Sequence, residues 1–491
     1  MTSAAVTRRG RRSSRRRSRG VLRRPIVVTV SALTTVALFV GYCVGDIADV
    51  LPGPLTLAAV SVPVYGDPEQ TKAAGNIVGD LDLTKPVDSA AAAKLMNSLL
   101  AAEGVGNDTS VIITDAQGNV AAEHEAGTPR EPASTMKTLT ALAASSTLDM
   151  SSTLDTQTFL SQNADGTNVL TIKGNGDMLL SAGDNDPEHT NGRAGLGSLA
   201  QSTAAALAQR GITAVQLHYD DTLFGTVRLP DALVDAGYTM YATPVSSMAI
   251  DGGRQYTADT PAPADPDASP GYPELSQNTA ADAVSTFVRL LAEQSITVEG
   301  DPVSGSAPEG LSPIASVSSA TLAEIMAYTL RHSDNTLAEE FGRLTALASG
   351  QENSPSGATA AVRDALNQLG IDTTGLTMAD CSGLSEGSSL TVRTLVAVQQ
   401  HNLEAGSGAA AAEGLSVSGL TGTASSRYTD DDAAGLLRVK TGSLGTVTSM
   451  VGNVSRTNGG ALAFAVVVNN PDDMAAARAA IDTFITALVK L

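Results

Sequence analysis

The 491-residue sequence contains little cysteine, histidine, lysine or aromatic residue, and no tryptophan. Its two cysteines, Cys43 and Cys381, exclude a disulfide framework, because Cys43 lies inside a long uncharged run where it cannot meet Cys381. The five histidines show no spacing typical of a metal site, so neither a metal nor another cofactor is expected. Lysine is so scarce that a motif containing it rarely arises by chance.

Acidic residues are absent before Asp46, while the first 24 residues contain ten arginines. Between these regions lies Ile26–Gly45, IVVTVSALTTVALFVGYCVG, which has no formally charged residue. At about 1.5 Å rise per residue, a helix of this length matches the roughly 30 Å hydrocarbon core of a bilayer. The arginines favour a cytoplasmic N-terminus. The sequence therefore predicts one transmembrane helix in the cell membrane, with everything beyond residue 46 outside the cell.

A cleaved signal peptide, followed by secretion, is the alternative interpretation of this run. The hydrophobic region of a signal peptide usually has about 7–15 residues, and a cleavage site with small residues follows it promptly. Here the nearest candidate is Thr56–Ala58. A retained anchor is therefore the favoured interpretation.

The region beyond the anchor is strongly acidic. Without the ten N-terminal arginines, 21 basic residues face 51 acidic ones, a formal charge of −30. This charge disfavours nucleic acid as a partner, and is otherwise typical of a soluble protein surface. The sequence does not indicate the oligomeric state.

Composition divides the chain into several segments. A predicted helix and hairpin begin near residue 90, and strands and a helix are predicted at the C-terminus, so we expect the two ends to form one domain. The stretch between them consists of short strand-like runs broken by Gly, Asp and Pro, interrupted by one predicted helix, Gly197–Gly211. The predicted segments are a cytoplasmic tail at 1–25, an anchor at 26–45, a linker at 46–86, one α/β domain built from 87–155 and 314–491, and a β-rich insertion at 156–313.

Residue periodicity also predicts the main elements of the α/β domain. The predicted helices are Ser89–Ala101, Ser134 to about Ser146, Ser319–Arg331, Thr336–Ala348 and Met474–Leu488. The predicted strands are a hairpin of Val111–Ala116 and Val120–Ala126, and three C-terminal strands with the sequences LLRVKTG, VTSMVGNV and ALAFAVVVNN.

Ser134 precedes Lys137 by three residues in EPASTMKTLTA, at the start of a predicted helix. Residues three apart share a helix face, so the amine can take the proton whose loss makes a serine hydroxyl nucleophilic. The free N–H groups of a helix N-terminus can stabilise an oxyanion. An ordinary helix start, where serine is common, is the alternative. Ser134 is the only serine three places before any lysine of the chain, which favours the catalytic interpretation.

Two further motifs are weak when taken singly. Ser333-Asp334-Asn335 lies between two predicted helices, but a capping box at Thr336–Glu339 would explain it equally well. The Ser-x-Asn pattern also occurs at 161–163 and 276–278, although position and the central Asp favour 333. The only Lys-Thr-Gly begins at Lys440 and ends an apolar strand, where Gly442 would allow the close approach of a ligand. A strand end with a bulge is the alternative there.

The order of these motifs is more specific than any one of them. Ser-x-x-Lys after a hairpin, Ser-Asp-Asn between helices and Lys-Thr-Gly on a late strand are the signature of active-site-serine β-lactamases and penicillin-binding proteins. Over roughly residues 88–491 the chain resembles the penicillin-binding protein 4 type of D-alanyl-D-alanine carboxypeptidase/endopeptidase. Other similar stretches are GNGDMLL (174–180), DDTLFG (220–225), YATPVSSMAIDGG (241–253), ADCSGLS (379–385) and GLTGTASSR (419–427).

The resemblance implies a mixed α/β (α+β) fold with an antiparallel sheet flanked by helices. It also implies a serine-type D-Ala-D-Ala carboxypeptidase that trims peptidoglycan stem peptides, binds β-lactam antibiotics and has some endopeptidase activity. Ser134 would be the acylated nucleophile and Lys137 its general base, while Ser333 would relay a proton to the leaving group. Lys137 would have to be neutral, a state that burial and the charge of Lys440 would favour.

The resemblance also assigns the residues that bind the substrate. Asn335 and Lys440 would hold its amide and its carboxylate, and Thr441 would help to bind that carboxylate. The backbone N–H groups of Ser134 and Ser443 would form the oxyanion hole.

Several residues and functions stay open at this stage. Cys381 is interpreted as a packed thiol, and His332 is the only histidine close to a motif. Asp235 and Tyr241 are candidates for contact with the substrate side chain, although packing is the favoured role of both. A serine β-lactamase is the enzymatic alternative, and a non-catalytic protein that binds or senses the cell wall is the other.

Overall fold

The computed structural model describes residues 23–48, 50, 81–269, 271–404, 406, 408–427 and 432–491. These residues belong to two compact units, Met1–Gly75 and Asn76–Leu491. Most of the predicted tail, most of the predicted linker and the candidate cleavage site at Thr56–Ala58 lie outside the described residues.

The first unit contains one long helix, α1, Arg23–Ile47, which includes the whole predicted anchor Ile26–Gly45. Its segment Thr29–Ile47 is long and apolar enough to cross a membrane. A signal sequence near an N-terminus can meet the same criteria of length and composition, so both interpretations of this segment are retained.

The second unit mixes helices and strands along its whole described length. Its helices are α2 Ser89–Leu100, α3 Lys137–Thr147, α4 Leu196–Ala208, α5 Asp231–Asp235, α6 Thr279–Glu293, α7 Leu322–His332, α8 Asn335–Ser349, α9 Pro355–Gln368, α10 Val392–His401, α11 Ala409–Glu413 and α12 Met474–Leu488. Its strands are β1 Thr109–Asp115, β2 Val120–His124, β3 Thr153–Gln162, β4 Asn168–Gly174, β5 Asp177–Leu180, β6 Ala214–Asp220, β7 Met248–Ile250, β8 Arg254–Gln255, β9 Glu274–Leu275, β10 Thr297–Val298, β11 Val303–Ser304, β12 Ala315–Thr321, β13 Ser416–Val417, β14 Leu437–Leu444, β15 Val447–Ser455 and β16 Ala461–Asn469.

The central sheet is built from both ends of this unit. Its six strands are antiparallel and run in the order β13-β14-β15-β16-β1-β2. Strand β1 therefore pairs along its whole length with the last strand, β16. Residues far apart in sequence are joined at the middle of the sheet.

Both faces of the central sheet are covered by helices. Successive side chains of a strand point to opposite faces. On β1, Val111 and Ile113 pack with α2 and α12, whereas Ile112 packs with α3, α9 and α10. Burial on two faces explains why β16 reads as the nearly unbroken apolar run ALAFAVVVN.

A second sheet is formed by residues that lie, in sequence, between the two segments of the central sheet. Its strand order is β10-β6-β4-β3-β12, and β11 also pairs with β6. Helices α4 and α6 pack on it through Leu199, Leu207, Phe287 and Leu291. The sheet begins at Thr153 and ends at Thr321, so it extends past both predicted limits of the insertion, 156 and 313.

The predicted α/β fold class is confirmed, and so are the first hairpin, the three C-terminal strands and the last helix. Other elements differ. The β-rich stretch, for which a single helix was predicted, contains a second long helix, α6. The predicted helix Ser319–Arg331 begins only at Leu322.

The predicted capping box at Thr336–Glu339 is wrong. Helix α8 is capped by Asp334, whose side chain accepts the N–H of Leu337. A capping box occurs instead at the start of α7, between Thr321 and Glu324.

Candidate active site

Ser134 lies in a tight turn that leads into helix α3. Residues Ala133–Met136 form a 3-10 turn, and the regular helix begins at Lys137. Ala133 has a positive φ of 51°, an uncommon conformation for a residue with a Cβ. The predicted helix from Ser134 is therefore confirmed only from Lys137 onward. The turn places the serine hydroxyl beside the lysine amine.

A buried loop after α9 holds this turn in place. The carboxylate of Asp380 accepts the backbone N–H groups of Ser382, Gly383 and Ser385 at 2.9, 2.5 and 2.6 Å. Gly383 has a φ of 76°, and a Cβ there would lie 2.1 Å from the carbonyl oxygen of Ala133. Only glycine allows the loop to approach the serine turn this closely.

The amine of Lys137 is completely enclosed and has three polar neighbours. Its Nζ lies 3.0 Å from Ser134 Oγ, 2.7 Å from Asn335 Oδ1 and 2.9 Å from the carbonyl oxygen of Ser382. Burial lowers the pKa of Lys137 to about 8, although Asp380 and other nearby carboxyl groups oppose this shift. A substantial neutral fraction is thus available near pH 8.

The second motif occupies the break between α7 and α8. Ser333 ends α7 with a φ of 57°, and Asn335 is the first residue of α8. The side chain of Asn335 donates to the carbonyl oxygen of Tyr241 at 3.0 Å and accepts from Lys137. The motif therefore contacts the Ser-x-x-Lys turn directly.

The third motif reaches the second through its lysine. The Nζ of Lys440 donates to Ser333 Oγ at 2.9 Å and to the carbonyl oxygen of Thr441 at 2.8 Å. Burial, together with the charge of Lys137, lowers the pKa of Lys440 well below its usual range. Repulsion between the two lysines was expected to lower the pKa of Lys137, but it lowers the pKa of Lys440 instead.

The end of β14 carries the rest of the third motif. The Thr441 hydroxyl lies 2.9 Å from the hydroxyl of Thr423, a residue that the sequence analysis did not single out. The Ser443 hydroxyl accepts a hydrogen bond from Arg478 on α12. A Cβ at Gly442 would lie 2.2 Å from Ser449 Oγ and 2.9 Å from the carbonyl oxygen of Pro132, so β15 and the protein's own serine turn fill the space beside this glycine.

A cavity of about 190 Å3 opens beside these groups. Ser333, Asn335, Thr423 and Tyr241 line it, as does Arg254. Tyr241 thus lies at the site, whereas Asp235 ends the short helix α5 and does not line this cavity.

Arg254 connects the second motif to the chain before it. Its side chain is only 7% exposed and forms ion pairs with Asp334 at 2.5 Å and with Asp251 at 2.9 Å. Asp334 uses its other oxygen to cap α8. Because Asp334 stands between Ser333 and Asn335, Arg254 fixes the turn that carries both.

The remaining candidates play other parts. Cys381 is buried, its sulfur packs against Gly342, and burial raises the pKa of its thiol well above the usual range, which is consistent with a packed thiol. His332 lines the same cavity as Ser333 and contacts Tyr328, with ring centroids 4.3 Å apart and ring planes tilted by 52°, and burial lowers its pKa.

Comparisons with known proteins agree with this geometry. The model of the D-Ala-D-Ala carboxypeptidase 3 (S13) family matches residues 91–274 and 268–488. The chain belongs to this family. Carboxypeptidase DacB of Mycolicibacterium smegmatis is 32% identical over 461 residues, which cover 91% of each chain. A D-alanyl-D-alanine carboxypeptidase of Actinomadura is 28% identical over 435 residues, covering 73% of this chain and 77% of that protein. The chain is a D-Ala-D-Ala carboxypeptidase, a hydrolase.

Solved structures support the fold. Penicillin-binding protein 4 of Haemophilus influenzae has a TM-score of 0.66 at 20% identity. The match covers 81% of this chain and 99% of that one. The resemblance to the penicillin-binding protein 4 type is therefore confirmed for the carboxypeptidase family and for the fold.

Replacing Arg254 should test how far the second motif depends on it. We expect Arg254→Gln to lower kcat for D-Ala release about 100-fold, because a shift of about 1 Å at reacting groups has that effect, and to change KM little. The protein should also lose about 3–5 kcal/mol of stability, since Asp334 would stay buried without its partner. Steady-state kinetics and urea unfolding measure the two effects.

The matched control is Arg193→Gln, which removes a more exposed ion pair with Glu324 on α7 and leaves Asp334 untouched. Its kcat should equal that of the wild type. Arg254→Lys should restore part of the lost kcat. An Arg254→Gln protein that is folded and has wild-type kcat would contradict the positioning role.

Proposed function

We propose that the chain trims the D-Ala-D-Ala ends of peptidoglycan stem peptides through an acyl-enzyme formed on Ser134. The observation that carries the proposal is the enclosed amine of Lys137, 3.0 Å from Ser134 Oγ, with a pKa lowered to about 8. In its neutral form this amine accepts the hydroxyl proton while the oxygen attacks the carbonyl of the penultimate D-Ala.

Ser333 and Lys440 serve the leaving group. The hydroxyl of Ser333, held by Lys440 at 2.9 Å, relays to the amine of the departing D-Ala the proton that Lys137 took from Ser134, and so remains a hydroxyl. The terminal carboxylate of the substrate binds between Lys440 and Thr441, next to Thr423. A carboxylate there stabilises the ammonium form of Lys440, and so offsets the cost of charging a buried amine.

The scissile carbonyl binds between two backbone N–H groups, those of Ser134 and Ser443. The first belongs to the opening turn of a helix, where N–H groups lack intrahelical partners. Asn335 binds the substrate amide by exchanging its hydrogen bond to Tyr241 for one to the peptide.

Two further activities follow from the same acyl-enzyme. A β-lactam ring presents an amide at the position of the scissile bond, so penicillin should acylate Ser134. A structure of the Haemophilus protein holds a bound β-lactam. A cross-linked peptide ends its donor strand in the same D-Ala carbonyl, so we propose endopeptidase activity as well.

We further propose that the chain from 156 to 313 is an insertion in the peptidase domain that positions its second motif. Two contacts support this role: Arg254 pairs with Asp334, and the carbonyl of Tyr241 accepts from Asn335. We also propose that α1 anchors the catalytic part to the outside of the cell membrane, on the basis of its length and its arginine-rich flank.

Replacing the proposed nucleophile and base should separate their roles. Ser134→Ala should abolish D-Ala release and covalent labelling by fluorescent penicillin. Lys137→Ala should keep the nucleophile but slow acylation about 10²–10⁴-fold, because the base is lost. Lys440→Ala should chiefly raise KM, since the carboxylate loses its cation.

Ser146→Ala is the matched control, because Ser146 belongs to the same helix and donates to the carbonyl of Ala143. It should keep wild-type labelling. If Ser134 only starts a helix, its replacement should cost about 0.5–2 kcal/mol and leave the chemistry intact. D-Ala release at the wild-type rate by a folded Ser134→Ala protein would rule out the acyl-enzyme.

The rate of acylation should depend on pH through Lys137. Only the neutral amine accepts a proton, and its fraction grows as pH rises through a pKa of about 8. We therefore expect the rate constant for penicillin labelling to increase between about pH 6.5 and 9 and then level off. Stopped-flow labelling across this range measures it, with circular dichroism to verify the fold. A constant rate would mean that Lys137 is not the base.

Protease treatment of intact cells should test the anchor. The arginine tail should survive inside the cell while everything beyond about residue 46 is digested. Antibodies against each end of the chain report the outcome. A catalytic part released into the medium with a new N-terminus near Val60 would show that a signal peptide is cleaved instead.

A further inference from the structure

Two buried carboxyl groups lie close together where the proposed insertion contacts helix α8. Asp177 is the first residue of β5, Glu340 belongs to α8, and each residue is only 1% exposed. A Cβ at Gly176 would lie 3.1 Å from Glu340 Oε1, so the turn that precedes Asp177 lies directly against that carboxyl group. The insertion and the helix of the second motif are therefore in contact here.

Each of these carboxyl groups has an oxygen without a hydrogen-bond donor among the described residues. Oδ1 of Asp177 accepts the backbone N–H of Leu179 at 2.9 Å, but Oδ2 has no partner, and neither has Oε1 of Glu340. A buried acceptor without a donor is costly, and two neighbouring carboxylates also repel each other. One retained proton removes both costs, because the O–H of one carboxyl group can donate to an oxygen of the other.

The charges around the two groups favour retention of this proton. Burial raises the pKa of Asp177 to about 7, and burial, reinforced by the charge of Asp177, raises the pKa of Glu340 well above its usual range. Asp334, which caps α8 and pairs with Arg254, adds to the shift at Glu340. No lysine or arginine of the described residues contributes to either shift. Arg343, three residues farther along α8, donates to backbone carbonyl groups instead.

The contact lies in the middle of the segment that holds the second motif. In the pair of strands β5 and β7, Asp177 is in register with Met248. Before β7 the carbonyl group of Tyr241 accepts from Asn335, and after β7 Arg254 pairs with the residue that precedes Asn335. A movement of β5 away from α8 would therefore disturb the contacts at both ends of this segment.

We propose that Asp177 and Glu340 share one proton, and that this hydrogen bond between a carboxyl group and a carboxylate docks the insertion onto α8 in the position that the second motif requires. Both are positioning residues, because neither lines the catalytic cavity. The effect on the second motif rests on the proposed function, whereas the shared proton does not.

Urea unfolding of the full-length protein in detergent, from pH 5 to 9, tests the shared proton. Both carboxyl groups bind a proton more tightly in the folded protein than in the unfolded chain, where they titrate near about pH 4. Their stabilising effect is therefore complete below about pH 4 and is lost as the pH rises through the folded-state pKa values. While the pair keeps one proton, between about pH 7 and 9, it should raise the unfolding constant of the wild type about tenfold per pH unit.

Variants assign this pH dependence to the pair. Glu340→Gln should remove about tenfold per pH unit from it, because the amide N–H can donate to Asp177 as the carboxyl O–H does but does not titrate. Glu352→Gln, at an exposed site after α8, makes the same change in formal charge and should keep the wild-type dependence. Asp177→Ala and Glu340→Ala should have effects on the unfolding constant that do not add, because each removes the same hydrogen bond. An unchanged pH dependence in Glu340→Gln, or additive effects of the two alanine variants, would overturn the shared proton.

Covalent labelling of Ser134 by fluorescent penicillin tests the positioning role. At pH 8 we expect Glu340→Ala to slow labelling about tenfold or more, because the second motif shifts, and Glu340→Gln to label at the wild-type rate. A folded Glu340→Ala protein with wild-type labelling would overturn the positioning role alone. Unfolding requires no turnover, so the pH dependence would support the shared proton even if the protein released no D-Ala, an outcome that would overturn the peptidase proposal only.

Discussion

The candidate active site depends on the complete enclosure of one amine, that of Lys137. A lysine in water keeps its proton up to about pH 10 and cannot act as a base at neutral pH. Here the turn at Ala133–Met136 and the loop after α9 exclude water from Lys137, and burial lowers its pKa to about 8. Asp380 maintains this enclosure by binding three N–H groups of the loop. Buried charge is costly, so the protein surrounds Lys137 with groups that hydrogen-bond it in either protonation state.

The same enclosure couples the three motifs. Lys137 contacts Asn335 of the second motif, and Ser333 of that motif contacts Lys440 of the third. A displacement of any one of them therefore changes the environment of the others. Arg254 extends this chain of contacts outward, because it pairs with Asp334 between the two motif residues.

Local patterns predicted the parts of the structure that local physics determines. The apolar runs of β14–β16 and the periodicity of α12 are visible in the sequence, because burial alone dictates them. Helices α9 and α10 were not predicted. Helix α9 begins with Pro, Ser and Gly, which are typical of turns, and α10 has only ten residues. The strained turn at Ala133 and the left-handed Ser333 also leave no pattern, because tertiary contacts impose both conformations.

The motif residues of the site were visible in the sequence, but not the residues that hold them. Ser134, Lys137, Ser333, Asn335 and Lys440 stand out because their spacing is rare. Asp380, Thr423 and Arg254 do not. Thr423 and Arg254 act through partners far away in sequence, Thr441 and Asp334, whereas Asp380 binds N–H groups of its own irregular loop, which no periodic pattern indicates. The stretches ADCSGLS and GLTGTASSR contain Asp380 and Thr423. Both stretches resemble the family, but the resemblance assigned no role to either residue.

The pairing of β1 with β16 has a consequence for folding during synthesis of the chain. A chain that emerges from its N-terminus exposes β1 and the serine turn long before β14–β16 exist. More than three hundred residues must be synthesised after β1 before its partner strand β16 is available. Contacts between such distant residues form slowly. Until then the unfinished domain exposes apolar surface that chaperones and proteases recognise. If Ser134 forms the proposed acyl-enzyme, penicillin should label only completed chains and no nascent ones.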